Sequence, residues 1–459
     1  MRADTLRSWL DYLEKSDRLA VIDRQVSLDF ELAAVAKHLD GKKAVYFTNV
    51  EGHKIPVIAG VASTRQMFAE ACETTNYELI QKFAEAVENP RPCSPVDKSE
   101  ATVKENVVLE DIDLMKMLPM PVHHEEDAGN YVTAGLFIVR DPETRKQNVS
   151  IHRLQVAGKD KFTALILARH THHVHQQVEE HDEPLECAIV VGIDPVTMLA
   201  SQASTVFGVD ELEIASALRE EPLPLVRCET VDIDVPAHAE IVIEAKILPH
   251  EREPEGPFGE FPKYYGQRSD KEVVQVSAIT HRNDPIFHTI IPAGYEHLLL
   301  GGIPREASLF ETVRQTVPTV RAVHMTPGGT CRYHAVISIK KDAGGQGKNA
   351  VFAALANSFD IKHVFVVDEE VDIFEPEEVE WALATRFQAE HDLIVVHGAE
   401  GSKLDPSADN GVSSKMGFDC TVPLDSEPFD YLRVRIPGYD EINLEDYLSP
   451  ESAAVGFKA

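Results

Sequence analysis

The hydrophobic pattern of this chain changes character near residue 305, and that change limits what it can fold into. From about 130 to 300, short segments rich in β-branched residues recur at 132–140, 148–156, 162–168, 188–192, 240–248 and 273–280. Two stretches among them, 172–180 and 210–219, have helical spacing. Strands at such intervals predict a mostly antiparallel, β-barrel-like core with a few helices. Beyond 305, helix and strand alternate: helix 306–316, strand 333–339, helix 349–358, strand 363–367, helix 376–385 and strand 393–396. That alternation predicts an α/β layer around a mostly parallel sheet. The tail after Gly401 reads as loop-rich, with a short acidic helix near Leu444.

Ahead of the strands lies a smaller mixed segment. Leu6, Trp9, Leu10 and Leu13 mark one face of a helix, 44–49 and 55–58 read as strands, and 68–87 as mostly helical. Asn89-Pro90-Arg91-Pro92-Cys93-Ser94-Pro95 then breaks regular structure. The expected division is a mixed α/β segment over 1–105, a β-barrel-like domain over 106–305, a linker helix over 306–330 and an α/β domain over 331–459. A chain of 459 residues has room for two or three such units.

The net charge of −32 argues against duplex nucleic acid as a partner, because phosphate binding needs a basic surface. The six cysteines are scattered, with no CxxC pair, and read as free thiols of a reducing compartment. Met1-Arg2-Ala3-Asp4-Thr5 begins no apolar signal region, and no run of 18 apolar residues occurs. The expected location is the cytoplasm.

Glu255-Gly256-Pro257-Phe258-Gly259-Glu260 is the segment richest in chemistry. Glycine and proline fix a bend, and the two flanking carboxylates can divide labour if their surroundings pull their pKa values apart. Upstream, Asn148-Val149-Ser150-Ile151-His152-Arg153 reads as a strand ending in a cation. In a regular strand Asn148 and Arg153 face opposite ways, so the strand must bulge, end or run edge-on if both serve one ligand. An arginine beside two carboxylates can grip a substrate carboxylate with two nitrogens. His297 and Arg305 frame an apolar, glycine-bearing segment suited either to a flat anionic ligand or to packing at a domain junction.

Other motifs carry less. His170, His172, His173 and His175 invite a metal, and a metal-dependent hydrolase using this His170–His175 cluster is the alternative reading, although HEXXH is absent. Gly344-Gly345-Gln346-Gly347-Lys348-Asn349 lacks the phosphate-loop spacing and reads as a turn that starts a helix. Neither a dinucleotide fingerprint nor a GxSxG elbow is present.

Taken in order, the NVSIHR strand, the Ala168-Arg169-His170 segment, Phe207-Gly208-Val209-Asp210-Glu211-Leu212-Glu213, the EGPFGE loop, the 366–374 and 377–386 stretches and Ser414-Lys415-Met416-Gly417 resemble the UbiD family of reversible (de)carboxylases. The resemblance spans nearly the whole chain. It implies a mixed α+β fold: a split-β-barrel-like flavin-binding domain plus an α/β C-terminal oligomerisation domain, assembled as a homodimer or homohexamer. It implies prenylated FMN as cofactor, supplied by a separate flavin prenyltransferase. Carried over by position, Asn148, His170 and Glu211 match ligands of a divalent metal, usually Mn²⁺, and the backbone near Ser201 is a candidate for K⁺. Ser150, Ile151, His152 and Arg169 fall where the family lines the flavin, and Lys415 where it reaches the phosphate. Arg153, Glu255 and Glu260 match the catalytic network, with Arg153 placing the substrate carboxylate and Glu260 donating the proton. His297 and Arg305 would contact a substrate bearing a second polar group, such as a furan-dicarboxylate or a hydroxybenzoate.

Loss of CO₂ from an sp² carbon leaves an anion with no π system aligned to take its electrons. No protein side chain acts as such a sink, so the reaction class itself calls for an organic cofactor.

Overall fold

The computed structural model describes residues 4–427, 429–443 and 446–447. The acidic helix expected near Leu444 falls on residues outside that set.

The opening helix Leu6–Lys15 starts at a capping box, with Thr5 Oγ1 accepting from Ser8 N and Ser8 Oγ accepting from Thr5 N. It buries Leu6, Trp9, Leu10 and Leu13, the face its spacing predicts. Next to it lies a four-stranded sheet in the order Leu19–Ile22, Ala44–Phe47, Val57–Ala59, Phe287–Thr289. The last strand comes from far down the chain, so the first segment and the central one share a sheet.

The central sheet has nine strands, all paired antiparallel. Its path runs Tyr131–Val132, Leu154–Val156, Lys161–Ala164, Ser269–His281, Ile241–Glu255, Leu185–Val191, Leu136–Arg140, Gln147–Ile151, with Asn106–Val108 also paired to Ser269–His281. Two expected strands are divided: 132–140 breaks after Val132 and 148–156 breaks after Ile151. Both breaks have one cause. The last strand of the path is joined to the second by His152 and Arg153 alone, so the sheet must curl until its two ends meet. It forms a half-barrel with a seam, and Arg153 sits on that seam.

The C-terminal sheet runs Val320–Met325, His334–Ile339, His363–Asp368, Val412–Asp419, Leu393–Glu400. Its two inner pairings are parallel and its two outer ones antiparallel, so the sheet is mixed rather than mostly parallel. Val412–Asp419 lies inside this sheet, in a stretch the composition marks as loop. The helix expected from 306 begins at Tyr295 and runs to Thr316, through Gly301, Gly302 and Pro304. It therefore carries His297 and Arg305 on one face, eight residues apart.

Candidate active site

The strand Gln147–Ile151 ends before Arg153, which removes the face conflict between Asn148 and Arg153. Opposite the seam, Glu255 is the last residue of Ile241–Glu255. Gly256 follows at φ +84°, a conformation that side chains other than glycine rarely adopt, and turns the chain into the hairpin of Phe258–Gly259 and Tyr265–Gly266. Glu260 stands at the hairpin turn, its N–H donating to Tyr264 O at 2.8 Å.

Arg153 joins the two carboxylates. Its Nε donates to Glu255 Oε1 at 2.9 Å and its Nη2 to Glu255 Oε2 at 2.7 Å, while Nη1 contacts Glu260 Oε1. The guanidinium lies over the Phe258 ring, 5.0 Å from its centroid. Glu255 is fully buried and takes both prongs of the arginine. Glu260 takes one. Burial raises the Glu260 pKa, the Arg153 charge pulls it back and the nearby Glu255 charge pushes it up again, with a net rise. A raised pKa favours the protonated form of Glu260.

A clamp holds this loop from behind. Asp127 Oδ1 accepts from Gly259 N at 2.8 Å and its Oδ2 from His124 N at 2.9 Å. Ala128 N donates to Pro257 O at 2.9 Å. Tyr131 and Gln155 reach Glu255 and Gly256. Sequence reasoning missed these residues. Their one signal, a polar run Glu125-Glu126-Asp127-Ala128-Gly129-Asn130 before a strand, reads as an ordinary loop.

Beside the seam, Asn148 Nδ2 lies 3.1 Å from Glu211 Oε1, and Val149 N donates to Glu211 Oε2 at 2.7 Å. Asp210 caps the helix Glu211–Arg219 and so presents Glu211 to the strand. Glu211 is buried and its recorded partners are neutral, so burial pushes its pKa up to about 8. A buried carboxylate with no side-chain cation suits a hard metal ion, and Asn148, once its amide is turned, offers a second oxygen. His170 opens the helix His170–Glu179, edge-on to Phe207 at 5.5 Å. The next residue, Thr171, donates to Asn148 Oδ1 at 2.9 Å, which puts the helix start beside the pair. Glu211 and Asn148 thus offer oxygen donors of the kind a hard divalent cation takes.

His152 Nδ1 lies 3.1 Å from the Leu165 carbonyl, so it carries the proton, and Nε2 accepts from Ser150 Oγ at 2.9 Å. Burial pushes its pKa down to about 4, which keeps the ring neutral. Ile151 is part-buried at the strand end. Arg169, exposed at the N-cap of the helix, acts electrostatically on His152, His170 and Arg305 and so lies close to all three. Ser201 caps Pro195–Ala200 and donates to Met198 O at 2.7 Å. Lys415 is buried, its Nζ donating to Phe359 O at 3.1 Å, and burial lowers its pKa.

Three family models cover the chain: the N-terminal domain of 3-octaprenyl-4-hydroxybenzoate carboxy-lyase over 10–87, its Rift-related domain over 94–295 and its C-terminal domain over 298–420. The chain belongs to the UbiD family. It is a carboxy-lyase of that family. The UbiD-class enzyme HmfF from Pelotomaculum thermopropionicum, solved in complex with FMN, is 55% identical. The match covers 97% of this chain and 100% of that one, with a TM-score of 0.96. An evolved dimeric form of HmfF in complex with prFMN is 52% identical, with a TM-score of 0.91 over 97% of this chain and 100% of that one. The anhydromevalonate phosphate decarboxylase of Methanothermobacter thermautotrophicus is 40% identical, covering 92% of this chain and 97% of its own length.

Membership of the UbiD family leaves the hydrolase alternative without support. Among the described residues no group of three or more His, Cys, Asp or Glu could hold a metal ion. The histidine run is dispersed around its helix: His175 is buried, while His173 is exposed and edge-on to Phe207 at 5.2 Å. Gly344 to Asn349 does start a helix, Gln346–Asn357. Among the described residues no helix is long and apolar enough to cross a membrane.

His297 and Arg305 lie close to a second arginine, Arg332, which sequence reasoning also missed. Arg305 Nη1 donates to Gly301 O at 2.5 Å, and Arg332 Nη1 to Cys331 O at 3.1 Å. Among the described residues neither guanidinium pairs with a carboxylate. His297 and Arg305 are half-buried and Arg332 is buried. His297 Nδ1 accepts from Ala293 N at 3.1 Å, and burial with the two arginines pushes its pKa down to about 3. The ring is therefore neutral and its Nε2–H is free to donate. Phe261, next to Glu260, lies under Arg332 at 5.2 Å and beside Tyr333 at 5.5 Å, tying this cluster to the carboxylate loop.

Proposed function

We propose that this UbiD-family enzyme removes CO₂, without net oxidation, from an aromatic or heteroaromatic acid that carries a second anionic group, with prenylated FMN as cofactor. The observation that carries the second anion is the His297, Arg305 and Arg332 cluster. Asp360 acts on both guanidinium groups from beyond ion-pair distance. Enclosed guanidinium groups that no carboxylate pairs with directly are costly unless an anion meets them, and their fork geometry matches a carboxylate. A furan-dicarboxylate satisfies this need better than a hydroxybenzoate, whose phenol is neutral at pH 7.

Prenylated FMN supplies the electron sink that decarboxylation at an sp² carbon requires. Ser150, Ile151, His152 and Arg169 would line it, and Lys415 would reach its phosphate. Asn148, His170 and Glu211 would hold the Mn²⁺ that neutralises that phosphate, with K⁺ at the Ser201 backbone. A flavin prenyltransferase would supply the cofactor.

Arg153 orients the scissile carboxylate, and the paired hold on Glu255 fixes the guanidinium plane. As CO₂ departs, its bonding electron pair stays behind. Glu260 gives its proton to that carbon and becomes a carboxylate, then regains a proton from solvent. Its raised pKa favours the protonated form relative to an exposed glutamate.

The test is to co-express the chain with a flavin prenyltransferase and incubate it with furan-2,5-dicarboxylate, 2-furoate, 3,4-dihydroxybenzoate and a phosphorylated unsaturated acid. Products are read by mass spectrometry. Furan-2,5-dicarboxylate is expected to turn over best. Preference for the mono-acid or the dihydroxy acid would overturn the dianion reading, and preference for the phosphorylated acid would move the second anion from carboxylate to phosphate.

A further inference from the structure

Tyr131 touches the carboxylate network from outside the set that the family resemblance supplies. Its ring is fully buried and packs on Phe258 with centroids 4.3 Å apart. Its hydroxyl lies 3.2 Å from Glu255 Oε1 and 3.1 Å from Gln155 Oε1. A phenol has one proton and can donate to one of these at a time. Gln155 Oε1 already accepts the Gly256 N–H at 2.9 Å. Glu255 Oε1, when ionised, is the stronger acceptor, because charge-assisted hydrogen bonds are roughly twice as strong as neutral ones.

The charged and titratable groups facing Glu255 are Arg153 on the seam, Tyr131 from Tyr131–Val132 and Glu260 from the hairpin, while Asp127 of the clamp acts on Tyr131. Burial, then the Glu255 charge, drives the phenol pKa far up, so Tyr131 remains a donor at any working pH. Glu255 thus meets three donors: Arg153 Nε, Arg153 Nη2 and the Tyr131 hydroxyl. Glu260 meets Arg153 through one nitrogen.

We propose that Tyr131 is a positioning residue: its hydroxyl gives Glu255 a third donor beside the two prongs of Arg153, fixes that side chain as an acceptor and so leaves proton exchange to Glu260. This rests on the roles given above to Arg153, Glu255 and Glu260. It adds that the division of labour between the two acids is set from behind by a neutral phenol. Removing that hydroxyl weakens every state in which Glu255 is charged and leaves the doubly protonated state untouched. The pair's two proton uptakes are therefore affected unequally.

Two measurements test this. In the full chain without cofactor, Tyr131→Phe should lower the unfolding temperature more in the wild-type background than in a Glu255→Gln background. Equal losses overturn the proposal. In the prenylated-FMN enzyme, Tyr131→Phe should move the acidic limb of the kcat/KM profile up by about one pH unit, the equivalent of one hydrogen bond to a charged group. The basic limb should stay in place. A uniform fall in rate with both limbs unmoved would mean a packing role alone and would also overturn it. Should no acid be turned over, the functional reading fails, while the unfolding comparison still decides the role of Tyr131.

Discussion

Gly301 and Arg332 compete for one volume: a β-carbon on Gly301 would overlap the Arg332 guanidinium. Gly301 lies mid-helix, four residues from His297 and from Arg305. Alanine there would favour the helix by about 1 kcal/mol, so glycine serves close approach rather than local structure. Because the overlap is with the end of a long side chain, Gly301→Ala should fold and melt near the wild-type temperature. The displaced guanidinium should raise KM for a dianionic substrate by about 10–100-fold, the loss of one charge-assisted hydrogen bond. Steady-state kinetics on a diacid and its mono-acid counterpart checks this. Equal effects on both would count against a second-anion role for Arg332.

Glu260→Gln removes the proton donor and keeps the shape, so product formation should fall roughly 10²–10⁴-fold. The pH dependence has a definite sign. Glu260 must be protonated to act, and burial raises its pKa from its ordinary value. Rate should therefore persist above the pH at which an exposed glutamate ionises and decline as pH rises past the raised value. Initial rates of CO₂ release across a pH series would show it, and a flat profile on the basic side would remove Glu260 from the role.

Much of this arrangement is legible in the sequence, and the gaps have physical reasons. The face conflict between Asn148 and Arg153 already demands a strand that ends or bulges, and the strand ends at Ile151. The Glu255 and Glu260 pair is visible because glycine and proline mark a built turn between them. Arg332 is not visible. It follows Thr330 and Cys331, both at positive φ, in a turn with no recognisable spacing to His297 or Arg305. The helix Tyr295–Thr316 is hidden at its start by Gly301, Gly302 and Pro304, which all disfavour helix locally. Burial overrides those propensities: Leu298, Leu299, Leu300 and Ile303 are in the core. Val412–Asp419 is hidden by its Ser, Lys and Gly content, and neighbouring strands on both sides impose its conformation.

The metal assignment makes a prediction that does not need turnover. Mn²⁺ titrated into chelator-treated protein, followed by electron paramagnetic resonance, should bind to the wild type. Glu211→Ala and His170→Ala should each weaken that binding about tenfold or more, the usual scale for losing part of a metal site. His173→Ala is the proper control, because His173 is exposed on the same helix. His175→Ala is a poor one, since His175 is 1% exposed and its removal would open a cavity. Equal loss from His173→Ala would point back to the histidine run as the ligand source.

Glu306, on the same helix as His297 and Arg305, should dominate one part of the stability profile. It is 1% exposed, accepts from His324 Nδ1 at 2.9 Å and Met325 N at 2.8 Å, and contacts Arg65 of the first segment. Burial alone would raise its pKa. The Arg65 charge and the two hydrogen bonds outweigh burial and bring it from 4.5 down to about 2. A depressed folded pKa means that the folded state resists protonation. Its stabilisation is fully present above the unfolded value and is lost as pH falls from about 4.5 through about 2. The shift corresponds to roughly 3 kcal/mol. The Glu306→Gln protein should be less stable at pH 7 by a comparable amount, because Arg65 then lies buried beside a neutral group. It should also lose less stability than wild type between pH 5 and pH 2. Unfolding temperatures of the two proteins across that range should converge on acidification, and parallel curves would show that the depressed carboxyl lies elsewhere.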